Sequence, residues 1–310
     1  MILKYLINPK PTIILFFIVF STAFNLIWLF ADNIDILFQH TWLPPYIIIL
    51  IGLFATSFHA LGLNNLIYEK NIIKKDNLVL GFTYILLCTP FYNTIPHWII
   101  SFALLFYINY LFASYQKDYP FSYVFNASLI LCILTFFAPE IIFLSPIIII
   151  TGINYENLSL RSLIIMLMGF GTPILFYFVT LTLLNIPIYL PDFNVLEMMS
   201  VPDYQAWILS KKIWTIVVIL ISMVSAVELF QWLYKKSIRS RKAFIIILFY
   251  FISLFLIGLY NEESCWYYLL SPLSIIMANY FVYTRKRKTA NLLFFLLITS
   301  SIIYKCMIII

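Results

Sequence analysis

The chain has 310 residues, of which 63% are hydrophobic and only 10% are charged. A water-soluble domain is about 45–50% apolar and about 25% charged, so no soluble core can bury this excess. A spanning helix needs roughly 20 residues, and about eleven such helices would use most of the chain. The composition therefore predicts an all-α, polytopic integral membrane protein without a separate soluble catalytic domain.

The net charge of +6 raises the question of a nucleic-acid partner. In a membrane protein, excess Lys and Arg marks the loops that face the cytoplasm. We therefore interpret the charge as a topology signal and predict no nucleic-acid binding. The apolar run from residue 11 to residue 30 is long enough to span and is followed by no cleavage site, so we predict a retained first helix rather than a signal peptide.

The hydropathy pattern predicts one transmembrane domain over residues 1–310. The third, fifth and sixth predicted spans are short, and we expect them to tilt, to thin the bilayer or to cross only part of it. The spans are placed near residues 12–30, 45–67, 77–91, 96–114, 122–137, 139–153, 162–186, 211–234, 243–260, 265–283 and 290–309.

The stretch from Ser122 to Ile153 decides the topology, because its sequence is compatible either with one helix or with two short helices around Pro139. Proline breaks or kinks a helix, and a charge such as Glu140 at a helix centre costs about 2.5–3.5 kcal/mol. With two helices, the basic residues at 235–242 and 285–288 face the same side as Lys4, Lys10 and the lysines at 70–75. The positive-inside rule favours this arrangement, with the N-terminus on the cytoplasmic side of the membrane.

This topology places most basic residues inside and most acids outside, so the outer face is where we look for function. Asp32 and Asp35 lie in the first outer loop, where carboxylates suit a general base or the ligands of a divalent cation. The alternative is ordinary polar capping of a loop. Glu140 at the outer turn of the short pair is a third catalytic candidate, and its alternative role is to complement a helix dipole.

The histidines give weaker signals. His40 and His97 are predicted at the outer surface as substrate contacts, but they come from different loops without a helical metal-binding spacing, so we assign no metal site to them. His59 lies inside the second span, where we expect a hydrogen-bonded packing residue.

The longest outer loop, residues 187–210, contains an amphipathic pattern typical of a helix lying on the outer leaflet. Lys211 and Lys212 follow it, against the positive-inside trend. Between Trp207 and Trp214, these two ammonium groups are placed to hold a lipid phosphate or pyrophosphate. The alternative is that both lysines extend their charges to the interface from a helix end.

Two further groups complete the list of candidates. Glu262, Glu263 and Trp266 combine carboxylates with an aromatic ring, which suits a sugar, although an aromatic belt at the interface explains most such rings. Glu228 is an acid inside the eighth span, which marks it as a functional candidate. We expect Glu228 to lie within reach of Lys235 or Lys236.

The layout resembles the GT-C class of integral-membrane glycosyltransferases. The likeness rests on the acids after the first span, the short loops, the paired short helices at 122–153, and two stretches, 63–68 (LNNLIY) and 266–272 (WYYLLSP). It also resembles uncharacterised multi-pass families of Bacteroidota. The resemblance implies a GT-C-like fold, a polyprenyl-phosphate sugar donor, transfer on the periplasmic side, and an acid of the first loop as base or metal ligand. The first loop lacks the D-D or D-x-D pair of that class.

Three functions therefore remain open. The first is GT-C-like sugar transfer in cell-envelope biogenesis. The second is a non-enzymatic membrane subunit of an envelope machine, such as a secretion or gliding-motility complex, with other membrane subunits as partners. The third is a lipid or solute transporter. All three make membrane lipids the immediate partners of the chain.

Overall fold

The computed structural model describes residues 2–30, 44–91, 95–187, 207–260 and 266–309. Within these ranges the secondary structure is helical, apart from one isolated β-bridge between Ile7 and Asn77. Short 3-10 turns cover Ile27–Phe30, Pro139–Leu144 and Leu233–Lys235. The α-helices are α1 (Ile2–Leu6), α2 (Pro11–Leu26), α3 (Pro45–Glu69), α4 (Val79–Leu87), α5 (Ile95–Ala113), α6 (Phe121–Thr135), α7 (Ser145–Asn154), α8 (Leu160–Leu183), α9 (Leu209–Trp232), α10 (Ile238–Tyr260), α11 (Trp266–Tyr283) and α12 (Arg287–Ile309).

Seven helices in the described part of the chain are long and apolar enough to cross a membrane. They are α2 with its 3-10 extension, α3, α5, α8, α9, α10 and α12. The exposed side chains of these helices are largely apolar, as lipid contact requires. The predicted fold class is confirmed at this level, because the described chain is all-α and carries the helices of a multi-pass membrane protein.

The stretch from 122 to 153 is broken, as the charge distribution predicts. Helix α6 ends at Thr135, and Ala138 is extended, with φ −143° and ψ 91°. Pro139 then begins a 3-10 turn that leads into α7. Proline cannot donate a backbone hydrogen bond, so the break falls where the sequence removes the donor.

Two helices are shielded over nearly their whole length. All nine residues of α4 are buried, and so is every residue of α11 from Tyr267 to Val282. A nine-residue helix is about 14 Å long, well short of a bilayer core of about 30 Å. The third predicted span, residues 77–91, therefore contains a short internal helix.

The chain divides into two compact units. Unit 1 comprises residues 1–99, 202–237 and 267–310. Within it, the hydroxyl oxygens of Ser21 and Ser57 lie 2.6 Å apart and join α2 to α3. The ring of Phe17 on α2 packs edge-on against Phe82 on α4, with centroids 5.0 Å apart. The inner helix α4 thus packs against α2.

Unit 2 comprises residues 100–201 and 238–266. Helices α6 and α8 come close together because Gly169 has no side chain, and a Cβ there would lie 1.9 Å from the Ser128 hydroxyl. Elsewhere in the unit, Asn154 donates to the carbonyl of Lys242 at 2.7 Å and fixes α7 on α10. The Lys242 ammonium lies 2.6 Å from Glu156, and this hydrogen bond and charge lower the pKa of the glutamate.

Candidate functional site

Several of the predicted site residues lie outside the described residues. They are Asp32, Asp35, His40, Glu262 and Glu263, together with most of the predicted outer loop at 187–210. The other candidates are described, and they fall in different places. Unit 1 holds His59, His97, Trp207, Lys211, Lys212 and Glu228, whereas unit 2 holds Glu140 and Trp266.

One residue that the sequence reasoning missed stands out in unit 1. Among the described residues, Lys305 on α12 is the one charged side chain that is buried, with 2% of its surface exposed. Its ammonium donates a hydrogen bond to the carbonyl of Phe24, near the end of α2. It also lies 3.7 Å from the centroid of the Phe24 ring and 5.1 Å from that of Trp28.

This environment offers the ammonium group two kinds of favourable partner. A carbonyl oxygen and the faces of aromatic rings both attract an ammonium group, and the attraction is stronger when water is excluded. The sequence did carry a signal, because Lys305 is the only charged residue after Lys288 in an apolar C-terminal run. An ionisable residue inside a membrane segment is a functional candidate by default.

The predicted lysines at the start of α9 lie at the same end of unit 1. The Lys211 ammonium lies 4.2 Å from the centroid of the Trp207 ring, and Lys212 is half-buried. One turn further along α9, Trp214 donates from its indole nitrogen to the Ser301 hydroxyl at 3.1 Å. The Trp214 ring also lies 6.2 Å from the ring of Tyr304.

Tyr304 directly precedes Lys305, so the end of α12 packs between α9 and α2. Tyr304 faces α9 and Lys305 faces α2. Three helix ends therefore meet, and the positive charges of α9 and α12 are brought to one end of the unit. We call this the aromatic–lysine cluster, and it comprises Phe24, Trp28, Trp207, Lys211, Trp214, Tyr304 and Lys305.

A chain of buried polar groups lies deeper in unit 1. His59 is buried, its Nε2 lies 2.9 Å from the Ser271 hydroxyl, and its ring stacks on Tyr84 with centroids 4.4 Å apart. Tyr84 donates to the hydroxyl of Tyr267 at 3.0 Å, and Cys88 Sγ lies 3.9 Å from the same oxygen. This network joins α3, α4 and α11 through groups that each have a neighbour able to share a proton.

The remaining candidates have local surroundings of their own. Glu140 is half-buried in the first turn of its 3-10 helix. The ring of His97 lies 5.3 Å from that of Tyr268, and Trp266 packs edge-on against Phe255 at 5.6 Å. Glu228 accepts a hydrogen bond from Thr284 at 3.1 Å.

No three histidine, cysteine, aspartate or glutamate side chains come together as a metal site in the part of the chain that the structure describes. A divalent cation therefore remains a prediction tied to the first outer loop. The groups that the structure does assemble are ammonium groups and aromatic rings. They suit an anion with an apolar tail.

The comparisons with known proteins give one match. The model of DUF6427, a family of unknown function, matches residues 15–310, so the chain belongs to this family. No curated protein and no solved structure gives a significant match.

Proposed function

We propose that this chain is a bacterial inner-membrane protein of cell-envelope biogenesis that uses a polyprenyl-phosphate sugar donor on the periplasmic face. The proposal includes a cytoplasmic N-terminus, about eleven full or partial crossings, and an architecture like that of the GT-C class. The observation that carries it is the aromatic–lysine cluster, which gathers lysines and rings at the end of unit 1 where the topology predicts few positive charges.

The chemistry of the cluster fits the two parts of such a donor. A phosphate oxygen gains most from an ammonium group that water does not screen, and Lys305 is that kind of group. Lys211 adds a second cation at the start of α9. The aromatic side chains around both lysines offer apolar surface for the isoprenoid chain next to the charge.

The transfer step would use the acids of the first outer loop, which follows the 3-10 turn containing Trp28. The acceptor hydroxyl oxygen attacks the anomeric carbon of the sugar, and the bond from that carbon to the phosphate oxygen breaks. The phosphate leaves with the electron pair and is stabilised by the lysines, while Asp32 or Asp35 takes the hydroxyl proton. In the variant with a divalent cation, one of these acids would bind the metal and the other would take the hydroxyl proton.

Binding is tested with the purified protein in nanodiscs and a short-chain polyprenyl phosphate. We expect Lys305→Met to lose about tenfold or more in affinity, because it removes a desolvated charge partner of the phosphate. The matched control is Lys288→Met, an exposed lysine at the other end of α12, which should bind as the unchanged protein does. Equal binding by all three proteins, or equal binding of the uncharged polyprenol, would contradict the proposed site.

The transfer step is tested in cells with Asp32→Asn and Asp35→Asn at equal expression. We expect at least one of them to lose the envelope glycan that depends on this gene while the purified variant still binds polyprenyl phosphate. Asp76→Asn, on the predicted opposite side, is the control. Normal glycan in both test variants would make the enzyme assignment wrong and would favour the non-enzymatic subunit.

A further inference from the structure

A second group of cations lies at the other end of unit 1 and plays no part in the proposed reaction. The Lys236 ammonium lies 4.6 Å from the centroid of the Tyr283 ring, and the Lys75 ammonium lies 5.4 Å from the same centroid. The ring is held in place because its hydroxyl accepts a hydrogen bond from the backbone N–H of Lys74 at 2.9 Å. Two lysines from distant parts of the chain therefore share one phenol ring.

The same arrangement recurs at Trp232. The Lys235 ammonium lies 4.3 Å from a centroid of this indole, and the Arg285 guanidinium lies 4.8 Å from one. Three segments contribute: the connection after α3, the turn after α9, and the link between α11 and α12. We call the group the basic–aromatic surface, and it comprises Lys75, Trp232, Lys235, Lys236, Tyr283 and Arg285.

The charge balance of this surface favours an anion. Four cations converge on two rings, and like charges held close together repel one another. Glu228 lies nearby in sequence and accepts from Thr284, while Asp76 adjoins Lys75 on an exposed connection. Arg287 uses its guanidinium to donate to the carbonyls of Phe281 and Val282 at the end of α11, so it is directed away from the rings.

Lys236 is the member of the group whose ammonium is most affected by burial. Its ammonium donates to Asn279 Oδ1 at 2.7 Å, and burial lowers the pKa of the lysine to about 8. A cation that has lost hydration gains more from a nearby anion than a fully hydrated one does. A bound phosphate would therefore favour the charged form of Lys236.

We propose that the basic–aromatic surface binds the phosphate of an anionic phospholipid headgroup. A lipid is favoured over a soluble phosphate because Trp232 and Lys235 lie at the very end of an apolar helix that is long enough to span the membrane. Trp and Tyr concentrate at headgroup level, and juxtamembrane Lys and Arg attract anionic lipids. The charged groups lie beside these rings, so a phosphate at headgroup level would meet them without leaving the leaflet.

The experiment compares lipid retention by the full-length protein in native mass spectrometry. The protein is released from nanodiscs of phosphatidylcholine with or without phosphatidylglycerol. The test variant is Lys75→Gln/Lys236→Gln. The control is Lys286→Gln/Lys288→Gln, which changes the charge equally at two lysines that contact no ring in this way among the described residues. The single variant Lys75→Gln, at an exposed position, serves in case the double variant does not fold.

We expect the unchanged protein and the control to retain phosphatidylglycerol, and the double variant to bind it about tenfold more weakly. Lys75→Gln should show part of that loss. Equal retention by the folded test variants and the unchanged protein would overturn the proposal, and so would an equal loss in the control. Displacement of the lipid by millimolar inorganic phosphate would overturn the assignment to a lipid. None of these outcomes depends on polyprenyl phosphate binding at the opposite end of unit 1.

Discussion

Trp214 and Ser301 join α9 to α12 through a buried hydrogen bond of 3.1 Å from the indole nitrogen to the hydroxyl. The same hydroxyl lies within 3.3 Å of the carbonyl of Leu86, just before the end of α4. One serine thus connects three helices beside the aromatic–lysine cluster. A membrane interior offers no water to replace such bonds, so their loss leaves buried polar groups unsatisfied.

Ser301→Ala is therefore expected to destabilise the protein by about 1–3 kcal/mol, because it leaves the buried indole N–H without its acceptor. The measurement is the thermal unfolding midpoint in mild detergent. Ser222→Ala is the control, since the Ser222 hydroxyl donates within its own helix, to the Ile219 carbonyl, on an exposed face of α9. A midpoint for Ser301→Ala equal to that of the control would show that the bond contributes nothing.

Gly169 and Gly171 on α8 offer a matched pair of substitutions. A Cβ at Gly169 would meet the Ser128 hydroxyl at 1.9 Å and the Phe125 carbonyl at 2.8 Å, whereas a Cβ at Gly171 meets nothing within 4 Å. We expect Gly169→Ala to destabilise by about 1–3 kcal/mol through overpacking. Gly171→Ala should stabilise slightly, by up to about 1 kcal/mol, because alanine favours a helix.

Thermal unfolding of both glycine variants checks this expectation. The two changes add the same methyl group two residues apart, so a general effect of alanine on α8 would move both midpoints in the same direction. That result would contradict the close packing of α6 on α8.

The break at Pro139 predicts the sides on which its flanking residues lie. Phe137, next to the break, is 76% exposed, and Glu156, after α7, is also exposed. In a variant without the native cysteines, Phe137→Cys should react with a membrane-impermeant thiol reagent from the periplasm. Glu156→Cys should react only after the cytoplasmic side is opened. Labelling of both cysteines from one side would contradict the two-helix topology.

Lys236 provides a pH-dependent prediction. Its pKa is about 8 in the folded protein against an ordinary value of 10.5, because burial penalises the charged form. Between pH 8 and pH 10.5, the unfolded chain binds more protons at this lysine than the folded chain does. The free energy of unfolding therefore rises with pH from about 8 to 10.5. The whole effect is worth up to about 3 kcal/mol, and Lys236→Met should remove it.

The direct measurement is the acylation rate of Lys236 against pH, followed by mass spectrometry. The rate should reach half its maximum near pH 8 in the folded protein and shift toward 10.5 after unfolding. A folded midpoint that coincides with the unfolded one would contradict burial of this ammonium. Lys75 faces the same tyrosine ring as Lys236. A bound phosphate is an anion close to this ammonium and should raise its midpoint.

Charge and proline patterns predicted the parts of the fold that depend on single segments. The break between α6 and α7 follows from one proline. The predicted count of crossings places Lys75 and Lys236 on the same side of the membrane, and in the structure both ammonium groups lie against one tyrosine ring. Both features depend only on the order of residues along the chain, so the sequence alone is enough to predict them.

The position of Lys305 beside the Phe24 and Trp28 rings could not be predicted in the same way. It depends on Phe24 and Lys305, which are 281 positions apart in the sequence, and on the packing of α12 between two other helices. Hydropathy also gave no sign that α4 and α11 are shielded from lipid, because a buried apolar residue and a lipid-facing one have the same hydropathy. Only the packing of neighbouring helices separates these two cases.

The shielding of α11 has a consequence for how the protein is made. This helix carries Ser271, Pro272, Ser274 and Asn279, and it is not among the seven helices apolar enough to span on their own. It leaves the ribosome after all of its partners in unit 1 except α12. We therefore expect the translocon to release α11 into a groove that earlier helices have already formed, so that late synthesis completes the interior of the unit rather than its edge.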